Sequence, residues 1–178
     1  MKTKNSVAAA IGVLGVLLIS PGRASGQPPA PALRIGTYDS RAIAIAFAHS
    51  DLLREQQRGL MAELEQARTA NDGKRVAELQ SRGRSLQHLL HQQGFSTGSV
   101  VNIMDRIKDA IPAVAKDAGV LIIVSKWEVL YRHPSIEYVD VTMPLAMKFN
   151  PSQRGLKIIE ELPKREPVPL DKLPLDEH

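Results

Sequence analysis

Val120-Leu121-Ile122-Ile123-Val124 is a run of five consecutive large aliphatic residues, and how it is read decides the fold. Unbroken and short, it reads as a strand buried on both faces. Upstream, Val100, Ile103, Met104, Ile107, Ile111 and Val114 recur at steps of three and four, which predicts one amphipathic helix ending at Gly119 and bent where Pro112 removes a backbone donor. Downstream, Val129-Leu130-Tyr131 and residues 136–141 follow at hairpin distance around the turn-like His133-Pro134-Ser135. Thr142 then caps a final helix through about Asn150, with Pro144 tolerated in its first turn. A first strand is read at residues 33–38, where Leu33, Ile35 and Thr37 alternate with Arg34, Gly36 and Tyr38. One strand ahead and three behind are too few to bury the aliphatic run on both sides, so the fold class expected is α+β with copies lending one another β-structure.

Between the first strand and the later ones lies a helical insertion. Asp39-Ser40 suits a helix start, and Ala42, Ile43, Ile45, Ala46 and Phe47 form its first apolar stretch. Leu53, Gln57, Leu60, Leu64 and Ala67 then follow a heptad seam with a polar weak member. Ala70-Asn71-Asp72-Gly73 stops the helix, with Gly73 read as the left-handed cap, and Val76, Leu79, Gly83, Leu86 and Leu90 resume the pattern. The result is an antiparallel helical hairpin over about residues 50–93, an arm inserted in the strand body. Its seams are lean, because Gln57 is polar and Gly83 has no side chain, so the tip should be mobile. Residues 74–93 carry four basic side chains and one acidic one, with His88 and His91 besides. Residues 94–98, with a glycine at each end, read as a kink, or as a break with a new cap at Ser96 or Ser99, before the next helix.

The ends of the chain are of other kinds. Lys2 and Lys4 precede an uncharged apolar run at residues 7–19, broken by Ser20-Pro21-Gly22, the build of a secretory signal. Small Ala24 and Gly26 place cleavage before Gln27; retention as an anchor is the alternative. The run is short for a bilayer that asks for about 20 residues. Residues 27–32 are a Pro-rich leader. Residues 151–178 read as a Pro-rich, mildly acidic, disordered tail with a short helix around 156–162.

The chain has 178 residues, 43% hydrophobic, 24% charged and 4% aromatic, which suits one modest domain with appendages. It contains no cysteine, which excludes disulfides, thiolate metal sites and a cysteine nucleophile. The formal charge of +4 falls to +1 without residues 1–26, where Lys2, Lys4 and Arg23 have no acidic counterpart. Nucleic-acid binding, which needs dense Lys and Arg, loses its support, so no nucleic-acid partner is expected.

No Gly-rich phosphate loop, Gly-x-Ser-x-Gly elbow or His-Glu-x-x-His pair occurs. His88 and His91 share a helix face but no carboxylate flanks them, so a solvated face is the better reading and no metal is assigned. His49, Asp51 and Asp39 could form an acid-base group, but a helix cap explains Asp39 better. Trp127 reads as a packing residue. No catalytic or cofactor-binding residue is assigned, and the chain is not read as an enzyme. Leu52, Met61, Leu89 and Phe95 fall outside both seams; they either cover the base of the hairpin or offer an adaptable apolar surface to unfolded chains.

The order of elements, with Arg34-Ile35-Gly36-Thr37-Tyr38-Asp39 at the front, resembles the Skp/OmpH family of periplasmic chaperones. Further likeness lies in Ala115-Lys116-Asp117-Ala118-Gly119, in residues 129–136 (Val-Leu-Tyr-Arg-His-Pro-Ser-Ile), and in Asp140-Val141-Thr142 with a last helix closing at Asn150. The likeness covers about residues 33–150. It implies a homotrimer whose subunits pool strands into a small central β-barrel, with the hairpins projecting as coiled-coil arms around unfolded outer-membrane proteins. The arms here are shorter, roughly 30 to 38 Å at 1.5 Å per residue.

The expected function is thus ATP-independent holding of unfolded outer-membrane or envelope proteins in the periplasm, without cofactors. Ile35, Tyr38, Val120, Ile122, Val124, Leu130, Tyr131 and Tyr138 are the expected trimer body. Leu52, Met61, Leu89, Arg82 and Arg84 are the expected client contacts, and lipopolysaccharide or an anionic membrane surface is a further partner for the basic returning helix. The rival is a non-enzymatic trimeric envelope structural or adaptor protein docking one folded partner. A third class, a peptidoglycan or lipid enzyme, would need convergent polar residues that the chain does not offer.

Overall fold

In the computed structural model, residues 33–173 are described; the expected signal, the Pro-rich leader and the last five residues of the expected tail lie outside the described residues. β1 (Arg34–Tyr38) pairs in parallel with β2 (Ile122–Ser125) on one side and β3 (Glu137–Asp140) on the other. Successive residues of a strand point to opposite faces. One register row, Ile123, Gly36 and Val139, therefore faces the helices, where Ile123 and Val139 pack on the core. Gly36 is required there: a Cβ would lie 3.0 Å from Ile123 Cγ1, 3.2 Å from Val120 Cγ2 and 3.3 Å from Val141 Cγ2. The next row, Ile122, Ile35 and Tyr138, lies on the opposite face. Arg34 ties the sheet together with a bidentate pair to Glu137 and a bond to the Ala118 carbonyl.

The helical side is built from α1 (Ser40–Ala48), α2 (Asp51–Thr69), α3 (Gly73–Phe95), α4 (Val101–Met104), α5 (Ile111–Ala118), α6 (Thr142–Ala146) and α7 (Gln153–Glu161). Ile43, Phe47, Ile103, Val114, Leu145 and Phe149 are among its buried core residues. Phe47 and Phe149 meet edge to face with centroids 6.1 Å apart. The fold is α+β, with helices on one face of a small sheet.

Several sequence expectations are corrected. Within the single chain the aliphatic run is not buried on both faces: Val120 is buried, but Leu121 and Ile122 are 75% and 53% exposed. The cause is that β2 is an edge strand, and that Val120 is taken up by the end of α5, its amide donating to the Ala115 carbonyl. Residues 129–131 form no strand, and Leu130 is 98% exposed. A hairpin is impossible there, because β2 and β3 both run parallel to β1 and flank it, so residues 126–136 must cross over the sheet. They cross its outer face, where the Arg132 guanidinium lies 4.8 Å from the Tyr138 ring centroid.

The helix expected over residues 100–119 is interrupted by a 3-10 turn at Asp105–Ala110. Pro112 starts α5 instead of bending a longer helix, a position where its missing N–H goes unmissed. Gly119 ends α5 in the left-handed conformation, φ 64°, as the spacing predicts. At the hairpin turn it is Asn71, φ 53°, that takes the left-handed position. Gly73 opens α3 instead, with the Asp72 carboxylate accepting from the Arg75 amide at 2.9 Å. Thr142 does not cap α6; its hydroxyl accepts from the Asp39 amide, and the Asp140 carboxylate accepts from the Thr142 amide at 2.8 Å.

The body also does not end at Asn150, and residues 151–162 are not a disordered tail. Ser152 caps α7, and Ile159 and Leu162 are buried in the main core. Gly155 allows α7 close to α1, since a Cβ there would come within 2.6 Å of the His49 Cβ. Farther on, Arg41 donates to the Arg165 carbonyl at 2.8 Å and the Val168 amide donates to the Phe95 carbonyl at 2.9 Å.

Candidate functional site

The seams of the hairpin explain a groove on its flank. α1 ends at His49, and Ser50 caps α2, its hydroxyl accepting from the Leu53 amide and donating to the Phe47 carbonyl. α3 returns antiparallel along both. Near the tip Leu64, Ala67 and Leu79 form a small core of their own, with Arg75 bridging Glu63 and Glu78. Nearer the body Leu53, Leu86 and Leu90 join the main core. Between the two cores stand Gln57 and Gly83, the weak seam members. Both line a groove of about 760 Å³ that runs from Leu60, Met61 and Gly83 past Gln57 and Gln87 to His49, His91, Gly94, Phe95 and Ile158. Gly94 leaves it open, for a Cβ at that position would meet nothing within 4 Å.

Of the expected client contacts, only Met61, 62% exposed, lines this groove. Leu52 and Leu89 are exposed outside it, and Arg82 and Arg84 are exposed on α3. Phe95 forms its body end, with its ring edge-on to His91. Ala48 and Ile158 were not singled out from the sequence; the glycines 83 and 94, four-residue neighbours of larger apolar groups on α3, were the available signal. His88 is engaged by Gln92, with 3.0 Å between Nε2 atoms. His49 does not join Asp39; it lies against α7, its carbonyl accepting from the Ser152 amide. Burial, and then the positive charges of Arg154 and Arg54, hold His49 below the ordinary histidine value.

The expected trimer body divides. Ile35, Ile122 and Tyr138 share one row on the outer face, with Val124 in the row beyond. Leu130 and Tyr131 are exposed on the crossover of that face. Tyr38 and Val120 turn inward, Tyr38 against the core and Val120 beneath Gly36, so neither belongs to an outward surface. Of the six outward residues Ile122, Leu130 and Tyr131 are exposed, as are the neighbouring Leu33 and Leu121, so the sheet and its crossover carry exposed apolar side chains.

At the carboxyl end of β1 lies a buried ionic hub. Asp39 caps α1 by accepting from the Arg41 amide, and its carboxylate also takes the Arg41 guanidinium, Lys126 Nζ at 2.8 Å and Trp127 Nε1 at 3.2 Å. Both Asp39 and Arg41 are buried. Arg41 and Lys126 lie over the Trp127 ring, 5.0 and 4.4 Å from its centroid. Sequence reasoning found the cap and Trp127 as a packing residue but not the charges that join them. Burial alone would raise the Asp39 carboxyl; the hydrogen bonds and charges of Arg41 and Lys126 outweigh it and hold the group below its ordinary 3.8.

A carboxyl lowered on folding contributes stability that is present above its unfolded value and lost as pH falls through its folded one. Urea unfolding midpoints should therefore fall slightly between pH 7 and about 5, where the unfolded chain's His49 takes up a proton that the folded one resists, and fall further below about pH 4, where Asp39 is protonated. An Asp39→Asn variant, already lacking the charge, should show a shallower fall.

In comparisons with known proteins, no family model, no curated protein and no solved structure matches this chain. Among the described residues no group of three or more metal-ligating side chains occurs, and no helix is long and apolar enough to cross a membrane.

Proposed function

We propose that this protein is an ATP-independent holding chaperone for unfolded outer-membrane or envelope proteins, working in the periplasm as a homotrimer. One observation carries the reading: the arm presents an open, largely apolar groove on its flank, with the weak seam members Gln57 and Gly83 in its lining. A helical hairpin that served only as a spacer would fill those positions. Leu60, Leu86 and Leu90 give the groove aliphatic surface, Phe95 an aromatic one and Met61 an unbranched, adaptable one, a mixture that suits many sequences. The resemblance to Skp/OmpH chaperones points the same way, as does the apolar leader at residues 7–19.

Association through the outer sheet face would pool the strands of three copies in a shared barrel, cover Ile122, Leu130 and Tyr131, and set three coiled-coil arms around one client. Three weak contacts acting together then hold what one cannot. Arg82 and Arg84 add charge contacts, and the same basic face would meet lipopolysaccharide or an anionic membrane.

Dilution of a denatured outer-membrane barrel protein into buffer, followed by light scattering, tests the reading. Aggregation should be suppressed by an excess of this protein and unchanged aggregation rejects it. A Met61→Ser, Leu89→Ser variant, altering only exposed side chains, should leave the unfolding midpoint nearly unmoved and require several-fold more protein for equal suppression. The exposed Leu130 and Tyr131 also suit a trimeric adaptor docking one folded protein. A pulldown that returns one stoichiometric partner favours the adaptor; a spread of unfolded clients favours holding.

A further inference from the structure

We propose that the groove has a strap of its own: residues 169–178 of the same chain close over it and compete with clients. This rests on the holding function above and adds a regulation of the same site.

The strap is anchored where the groove ends. After α7 the chain passes Arg41 at the start of α1, which donates to the Arg165 carbonyl, and then crosses the end of α3, where the Val168 amide donates to the Phe95 carbonyl at 2.9 Å. Phe95 and Gly94 line the body end of the groove. From there the lining runs back along α3 to Gly83, about 18 Å at 1.5 Å per residue. From Val168 to Leu175 the extended chain spans about 23 Å at 3.3 Å per residue. The strap is thus long enough to lie along the groove without letting go of Phe95.

Its composition suits the task. Leu170 is 55% exposed, and Leu173 and Leu175 follow it. At three residues per turn Leu170 and Leu173 share one side of the chain, while Asp171 and Lys172 between them are exposed. The prolines at 167, 169 and 174 restrict the segment to extended backbone, with ψ of 141° at Pro169 and 130° at Leu173. A segment already extended loses little freedom on docking. Its short tether also gives it an effective concentration on the order of millimolar, far above that of a second copy at micromolar protein. Residues 169–173 line no part of the groove, so the described arrangement is the open one.

The chain has no cysteine, so two introduced ones report only each other. Full-length protein carrying Leu175→Cys with Gln87→Cys, within the groove, is compared with Leu175→Cys with Leu89→Cys. Leu89 is exposed on the same helix and closer to Phe95 in sequence, but it lies outside the groove, so nearness to the anchor alone would favour the Leu89 pair. Under mild oxidation at micromolar protein the Gln87 pair should close an intramolecular disulfide about tenfold faster, because the bond needs Cα atoms within about 7 Å. A full-length Leu170→Ser, Leu173→Ser, Leu175→Ser variant with an unchanged circular dichroism spectrum should need about two- to tenfold less protein for equal suppression of aggregation, as expected when the open form rises from a minor fraction to nearly all. Equal oxidation rates for the two pairs, or a disulfide joining two copies, overturns the strap. So does an unchanged requirement in the triple variant when the parent suppresses aggregation. A fast Gln87 disulfide with no suppression by either parent or triple variant removes the holding function alone and leaves the strap as the occupant of the groove.

Discussion

An Asp39→Ala variant is expected to lose about 3 to 5 kcal/mol of folding stability, the range for removing one partner of a buried ion pair. The loss comes chiefly from what is left behind. Arg41 is 3% exposed, and without the carboxylate its guanidinium keeps the Trp127 ring and, as hydrogen-bond acceptors, only the Leu162 and Arg165 carbonyls. Lys126 is about a third exposed and can turn to water, so it should contribute little of the loss. The Asp39 substitution also uncaps α1, which by itself costs about 1 kcal/mol. Asp39→Asn separates the two effects, since asparagine caps a helix as well as aspartate but carries no charge. Replacing both Asp39 and Arg41 by apolar residues of similar size should recover most of the loss, because no buried charge then remains unpaired. Guanidinium unfolding followed by circular dichroism, at one protein concentration for all variants, gives the ranking: parent and double variant highest, Asn next, Ala lowest. An alanine variant within about 1 kcal/mol of the parent would show that the hub relaxes or hydrates.

The second large effect concerns association. If the parent associates as proposed, light scattering should give three copies for it and one for a variant carrying Ile122→Asp and Leu130→Asp. Ile122 is 53% exposed and Leu130 98%, so neither aspartate is forced into a core and the single subunit should keep its helical spectrum. In a trimer those positions would be covered, and a charge at each would have to be stripped of water without a partner. If holding depends on three arms acting together, suppression of aggregation should be lost in the same variant, although every arm is intact. A parent protein that is monomeric at micromolar concentration would remove the shared barrel and the multivalent holding together.

The elements easiest to read in the sequence are those whose signal is local. The seam from Leu53 to Ala67 and from Val76 to Leu90 yields α2 and α3, and the alternation at residues 33–38 yields β1. Gly119 ends α5 because only the left-handed conformation satisfies the last carbonyls. What was hidden depended on partners distant in sequence. The aliphatic run looks doubly buried, but its place at a sheet edge follows from β3 taking the other side of β1. Residues 153–162 look too short and too close to prolines to matter; their burial depends on α1 offering a surface against which Gly155 can press. The break at Ser50 was masked by apolar spacing that continues across it. The groove is the instructive case, for Gln57 and Gly83 register in the pattern as blemishes in a coiled seam, and only the return of α3 reveals that they line one opening.

The sheet's connectivity also dictates when it can form. Ile35 is joined to Ile122, and Arg34 to Glu137 across 103 positions, so β1 stays without its first neighbour until residues 122–125 have been delivered and without its second until residues 137–140 have. Helices α1 to α3 close near-neighbour contacts and can assemble in the meantime; the ordering of β-structure must wait on the largest loops in the molecule. A chain arriving from its N-terminus would thus display a finished arm before it has a body to carry it.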